Sequence, residues 1–175
     1  MKRTLPFLGA SLLSLLFLAG CTTQGGSASL SVGTQAPNFT VIASDGQTIS
    51  LTDFRGRILL LTSTATWCNT CVIEAENLRP VYEELKERGV EFLTVSIDPR
   101  EDIQTLERFR ASARTPWFYA TAEGADSLIR DYAFDRFEIT FIIDQQGIIR
   151  FVDKKITQTG ELRTILSSLL PPLTL

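Results

Sequence analysis

Short apolar runs of strand length alternate with stretches of helical spacing along most of this chain. Ile58 to Thr62, ILLLT, is almost wholly apolar, which fits a strand covered on both faces. A helical pattern follows from about Asn69 to Arg88, with Pro80 inside it as an expected kink and Gly89 as its stop. Glu91 to Ile97 predicts a second buried strand, closed by DPRED, and Ile103 to Ala111 a helix with Ile103, Leu106 and Phe109 near one side. Trp117 to Ala120 predicts a short strand, Asp126 to Ala133 a helix, and Glu161 to Leu170 a closing helix ended by Pro171-Pro172. Two hairpins are signalled, Phe39 to Ala43 with Thr48 to Leu51 around Asp45-Gly46, and Phe141 to Asp144 with Ile148 to Val152 around QQG. Strand, helix, strand, then a late hairpin and a helix argue for an α/β fold. Its central mixed sheet is parallel in the first half and antiparallel at its end, with helices on both faces.

The first twenty residues are of another kind. Lys2 and Arg3 precede an apolar run from Leu5 to Ala19 that is shorter than a membrane span needs, so residues 1–20 predict a signal sequence. LAGC, Leu18 to Cys21, resembles the bacterial lipobox, in which the cysteine is lipidated and becomes the mature N-terminus. Residues 21–32 run from Cys21 into TTQGGSAS and have the composition of a flexible tether, which leaves 33–175 as one folded domain hung from a membrane by Cys21.

A length of 175 residues, 44% hydrophobic and 21% charged, suits that single domain. The net charge of −3 offers no basic footprint for nucleic acid, and removing Lys2 and Arg3 makes the remainder more acidic. With no histidine in the chain, proton chemistry near neutrality falls to carboxylates and thiols.

Three cysteines occur, and with Cys21 lipidated the domain keeps Cys68 and Cys71 in TATWCNTCVIE. A structural clip is a poor account, because so short a loop restrains little of the unfolded chain. A structural zinc site wants four ligands and finds two sulfurs; copper(I) held by two thiolates stays open on grounds of softness. As a redox couple the pair has a physical basis. Cys68 falls at the start of a helix, where free N–H groups and the helix dipole favour a thiolate. It is thus the expected nucleophile, with Cys71 one turn in as the resolving thiol.

At ~100° per residue, Glu74 falls between Val81 and Leu85 on the apolar stripe of the helix. Burial there raises a carboxyl's pKa and suits Glu74 to exchanging protons with Cys71. Trp67, just before the nucleophile, is expected to cover the pair and dock substrate. Asn69 and Thr70 add no positive charge to hold a thiolate, which argues against a strong oxidant.

WCNTC after ILLLTSTAT, with the lipobox upstream and TFIIDQQGIIRF from Thr140 to Phe151 downstream, resembles the TlpA/ResA branch of the thioredoxin-like superfamily over about residues 33 to 170. The resemblance implies a thioredoxin-like fold with an extra N-terminal hairpin, here Phe39 to Leu51. It also implies a membrane-anchored thiol–disulfide oxidoreductase, often a reductant, for example of the haem-binding cysteines of apocytochrome c. Its partners would be a disulfide-bearing protein substrate and a membrane thiol donor; it would need no cofactor or metal and act as a monomer. The nucleophile, the resolving cysteine and the acidic residue three further on map to Cys68, Cys71 and Glu74.

Two departures stand out. Thr62 occupies the place of the buried aspartate of thioredoxins, and Glu138 falls where the family carries a cis-proline facing the disulfide. A trans bond is expected there, since a non-proline cis bond costs about 2.5–4 kcal/mol, and a charge at Glu138 would favour basic partners. Sco-type copper chaperones use C-x-x-x-C and a histidine, peroxiredoxins P-x-x-x-T-x-x-C, and DsbA-type oxidants a histidine between their cysteines; this chain has none of these.

Overall fold

In the computed structural model, which describes residues 30–172, the chain first forms a small antiparallel hairpin of β1 (Thr40–Ile42) and β2 (Thr48–Ser50). Asp45-Gly46 turns it as expected: Asp45 accepts the Gln47 N–H, and Gly46 takes the left-handed φ of 86°.

β3 (Ile58–Thr64) follows, two residues longer than its apolar run suggests, because Ser63 and Thr64 still pair with Val95 and Ser96. Every residue of β3 is buried, and its alternation feeds two cores: Leu59 and Leu61 on one face, Ile58 and Leu60 on the other. A strand wet on neither side must lie inside the sheet. With β4 (Val90–Ser96), β5 (Phe118–Ala120), β6 (Thr140–Ile143) and β7 (Ile149–Asp153), the order is β5-β4-β3-β6-β7. The β3–β4 and β4–β5 pairs are parallel, and β3–β6 and β6–β7 antiparallel, the mixed sheet expected.

α1 (Asn69–Leu85), α2 (Ile103–Ala113) and α4 (Thr159–Leu169) pack on the Ile58 and Leu60 face through Leu78, Val81, Leu106, Phe109, Leu162 and Leu166. The hairpin and the short α3 (Asp126–Asp131) cover the other face through Val41, Ile49 and Leu128. α1 continues through Pro80 to Leu85, and Lys86–Arg88 tighten into a 3-10 turn before Gly89, at φ 87°, releases the chain into β4. Ile103 corrects the sequence reading: it is exposed at the first position of α2, while the stripe that meets the sheet is Leu106, Phe109 and Ala113. α3 also ends two residues short of Ala133.

α2 is closed by Arg114, an exposed residue in the left-handed region at φ 53°. A side chain with a Cβ is strained there and glycine is not. Arg114→Gly should therefore stabilise the fold by about 0.5–1 kcal/mol, seen as a higher urea midpoint with an unchanged slope; a lower midpoint would show that the arginine side chain contributes more than its backbone costs.

Cys21, the signal sequence and residues 21–29 of the tether lie outside the described residues. Among those described, no helix is long and apolar enough to cross a membrane.

Candidate active site

β3 delivers the chain to the centre of the sheet's end, and α1 begins five residues later, so the cysteines sit where the middle strand becomes a helix. Cys68 is the N-cap of α1, with extended backbone, and its Sγ accepts the Cys71 N–H at 3.2 Å. The two sulfurs stand at disulfide distance, with Cα atoms 5.2 Å apart. Cys68 is 7% exposed and Cys71 3%, and both pack on Ala65 and Phe137. The Thr70 hydroxyl lies 3.2 Å from the Cys68 sulfur; Thr70 and Asn69 are exposed beside it.

Glu74 is 2% exposed, on the buried side of α1 as its angular position predicts. Burial pushes its carboxyl up to about 8; a hydrogen bond from Thr140 opposes the shift, and the charges of Glu138 and Asp153 add to it. Thr140 Oγ1 is 3.2 Å from Glu74 Oε1 and 3.1 Å from Thr62 Oγ1. Its single proton serves one of them at a time. Once Glu74 is protonated, its own O–H can donate to Thr140 and free that hydroxyl for Thr62. The position that departs from the thioredoxin aspartate is thus tied to Glu74 through one cross-strand pair, Thr62 with Thr140. Cys71, Glu74, Thr62, Thr94 and Trp117 line a cavity of about 10 Å³, room for about one water molecule.

The segment ahead of the pair is held from behind. The Thr66 N–H and hydroxyl both donate to Glu101 Oε1, each at 2.7 Å, and Ser96 donates to Oε2 at 2.6 Å. The Trp67 indole N–H donates to Asp98 Oδ2 at 2.7 Å, leaving the ring 57% exposed and edge-on to Phe137 with centroids 4.9 Å apart. Arg100 grips Asp98 with its guanidinium and its backbone N–H. Those bonds, with the indole's, hold the Asp98 carboxyl well below the usual carboxylate range.

Glu138 lies in the loop before β6, with no cis peptide among the described residues. Its N–H donates to Ser63 O at 3.1 Å, and a carboxylate oxygen lies within 4.8 Å of both sulfurs. Sequence reasoning reached Trp67, Cys68, Cys71, Glu74 and Glu138, and all of them gather here. It missed Asp98, Glu101 and Phe137; DPRED read only as a strand's end, with nothing to say what its carboxylates would hold.

Two solved structures share this fold. One is the thioredoxin domain of a thiol-disulfide oxidoreductase from Bacteroides vulgatus, with TM-score 0.71 and 23% identity over 82% of this chain and 100% of that one. The other is a thiol:disulfide interchange protein of the thioredoxin family from Chlorobium tepidum, with TM-score 0.68 and 20% identity over 79% and 97%. The fold is thioredoxin-like, and with the cysteine pair and the relatives named next it defines a thiol–disulfide oxidoreductase. The sequence pattern of the AhpC/TSA family matches residues 32–152, and the chain belongs to that family. Among its relatives is a thiol-disulfide oxidoreductase ResA from Bacillus cereus, 30% identical over 165 residues, 91% of this chain and 92% of the relative. Another ResA, from Bacillus thuringiensis, is 29% identical over 150 residues, covering 83% and 85%. Copper(I) carriage, which two thiolates left open, finds no support in these relatives.

Proposed function

We propose that this protein reduces disulfides of partner proteins outside the cytoplasm, held at a membrane by lipid on Cys21 and acting as a monomer. The observation that carries the reading is a cysteine pair at a helix N-terminus with a buried carboxyl one turn beneath it, matched to thiol chemistry by its raised pKa. Helix N–H groups favour the Cys68 thiolate, which attacks one sulfur of the partner disulfide and expels the other as a thiolate. Glu74 holds its own proton until about pH 8, so its ionised fraction takes the Cys71 proton, directly or through the small cavity they share. The Cys71 thiolate attacks the Cys68 sulfur and releases the second partner thiolate. Two electrons leave the dithiol, and its two protons go to the expelled thiolates. A membrane thiol donor restores the pair.

Proton transfer is efficient when donor and acceptor have similar pKa values; a Glu74 near 8 faces a thiol whose ordinary value is ~8.5. Trp67, Asn69, Thr70 and Glu138 form the ground on which the substrate sits. The lipobox and tether support membrane attachment, and the ResA names of the relatives support the reaction class. The reducing direction rests on the neutral Asn69-Thr70 pair between the cysteines. A redox titration of the chain in dithiothreitol and glutathione buffers, with thiols trapped and counted by mass, tests it. The expected two-electron transition lies near or below roughly −270 mV; a value near −120 mV would reverse the direction of electron flow.

A further inference from the structure

Glu138 has a conformation that its own sequence does not favour. Its φ is +65°, in the left-handed region that a long side chain with a Cβ occupies only under constraint. The constraint is Ser63 at the end of β3. Ser63 O accepts the Glu138 N–H, its N–H donates to Ile139 O at 3.0 Å, its hydroxyl accepts the Ile139 N–H at 3.0 Å, and it donates to Arg136 O at 2.9 Å. Four hydrogen bonds to one residue fix the loop and aim the Glu138 side chain at the pair.

There the carboxylate is left unpaired. A Glu138 oxygen is within 4.8 Å of both sulfurs, and Oε1 is shut off from solvent without a hydrogen-bond partner among the described residues. Arg136, two residues earlier, turns to Asp135 at 3.3 Å. A shielded acceptor with no donor costs free energy in the unbound protein, and a cation brought beside the carboxylate offsets part of that cost through its charge.

We propose that Glu138 is a specificity-determining residue, selecting substrate disulfides flanked by a cation: a lysine, an arginine or a protonated amine. This rests on the reductase reading above. When the Cys68 thiolate attacks, one negative charge spreads over three sulfurs beside a carboxylate that has no salt-bridge partner among the described residues. A cationic substrate offsets both charges. An anionic one adds a further negative charge at the same place.

The test uses the full chain, reduced, against three small disulfides: cystamine, cationic at both ends; bis(2-hydroxyethyl) disulfide, neutral; and dithiodiglycolate, anionic. Each protein's rates are divided by its own rate on the neutral compound, and wild type is compared with Glu138→Gln, so that the disulfides' intrinsic reactivities cancel. The cation-to-anion ratio should fall about tenfold in the variant at low salt. In wild type alone, added salt should slow cystamine and speed dithiodiglycolate, a readout that needs no variant. An unmoved ratio with no opposed salt effects overturns the role of Glu138 while the reductase reading stands. Failure of the wild type to reduce even the neutral disulfide overturns the reductase reading, and this proposal with it.

Discussion

Serine in place of Cys68 should abolish disulfide reduction, by about 10³-fold or more, while serine in place of Cys71 should leave a protein that attacks once and stays bound to its substrate. The asymmetry follows from where α1 begins. Cys68 is the N-cap, its sulfur accepts the Cys71 N–H, and it is the more exposed of the two. A thiolate is stabilised there and meets an incoming disulfide. Cys71 is inside the first turn and 3% exposed, so its reach is to Cys68 and not to the partner. Incubating each variant with a disulfide-bearing protein and separating the products without reductant gives the answer: Cys71→Ser should accumulate a mixed disulfide through Cys68, and Cys68→Ser should accumulate none. Capture by Cys68→Ser instead would reverse the two roles.

The second large effect is on stability and its pH dependence. The Glu74 carboxyl is pushed up to about 8 by burial, from an ordinary value near 4.5. The unfolded chain therefore loses this proton as pH rises through about 4.5, while the folded chain keeps it until about 8. Across that window the unfolded state binds fewer protons, so stability falls with rising pH and levels off above about 8. The separation corresponds to a loss on the order of 5 kcal/mol for an isolated group. Glu74→Gln keeps the size and an acceptor for Thr140 but does not ionise, so its stability should exceed that of the wild type by a margin that widens from pH 5 to pH 8. Urea midpoints of both proteins along that range check it; parallel curves would mean that Glu74 ionises in the folded state as it does in water. The same variant should prolong the mixed disulfide, because Cys71 loses its proton acceptor.

Much of this was legible before any coordinates. The unbroken apolar run at Ile58 could serve only as an interior strand, and the angular position of Glu74 placed a carboxyl among Val81 and Leu85, where it lies. Helix spacing misjudged Ile103, because periodicity gives the side of a helix and not where along its length the sheet begins. Asp98 and Glu101 escaped for another reason. Their partners Trp67 and Thr66 are 31 and 35 residues away, and a carboxylate in a loop carries no local mark of what it will hold. Glu138 was found through an alignment to a proline; its left-handed backbone was not, since glutamate has no preference for that region and the conformation comes from Ser63, 75 residues earlier in the chain.

The grip of Asp98 and Glu101 on Trp67 and Thr66 has a kinetic consequence. Cys68 is 7% exposed and Cys71 3%, beside an indole fixed in place, so Cys68 is the one sulfur a partner disulfide or thiol meets first. Whatever supplies electrons and whatever receives them must visit the same doorstep in turn. Such an enzyme works as a shuttle with alternating callers: an excess of either one crowds out the other, and throughput peaks where their arrivals balance.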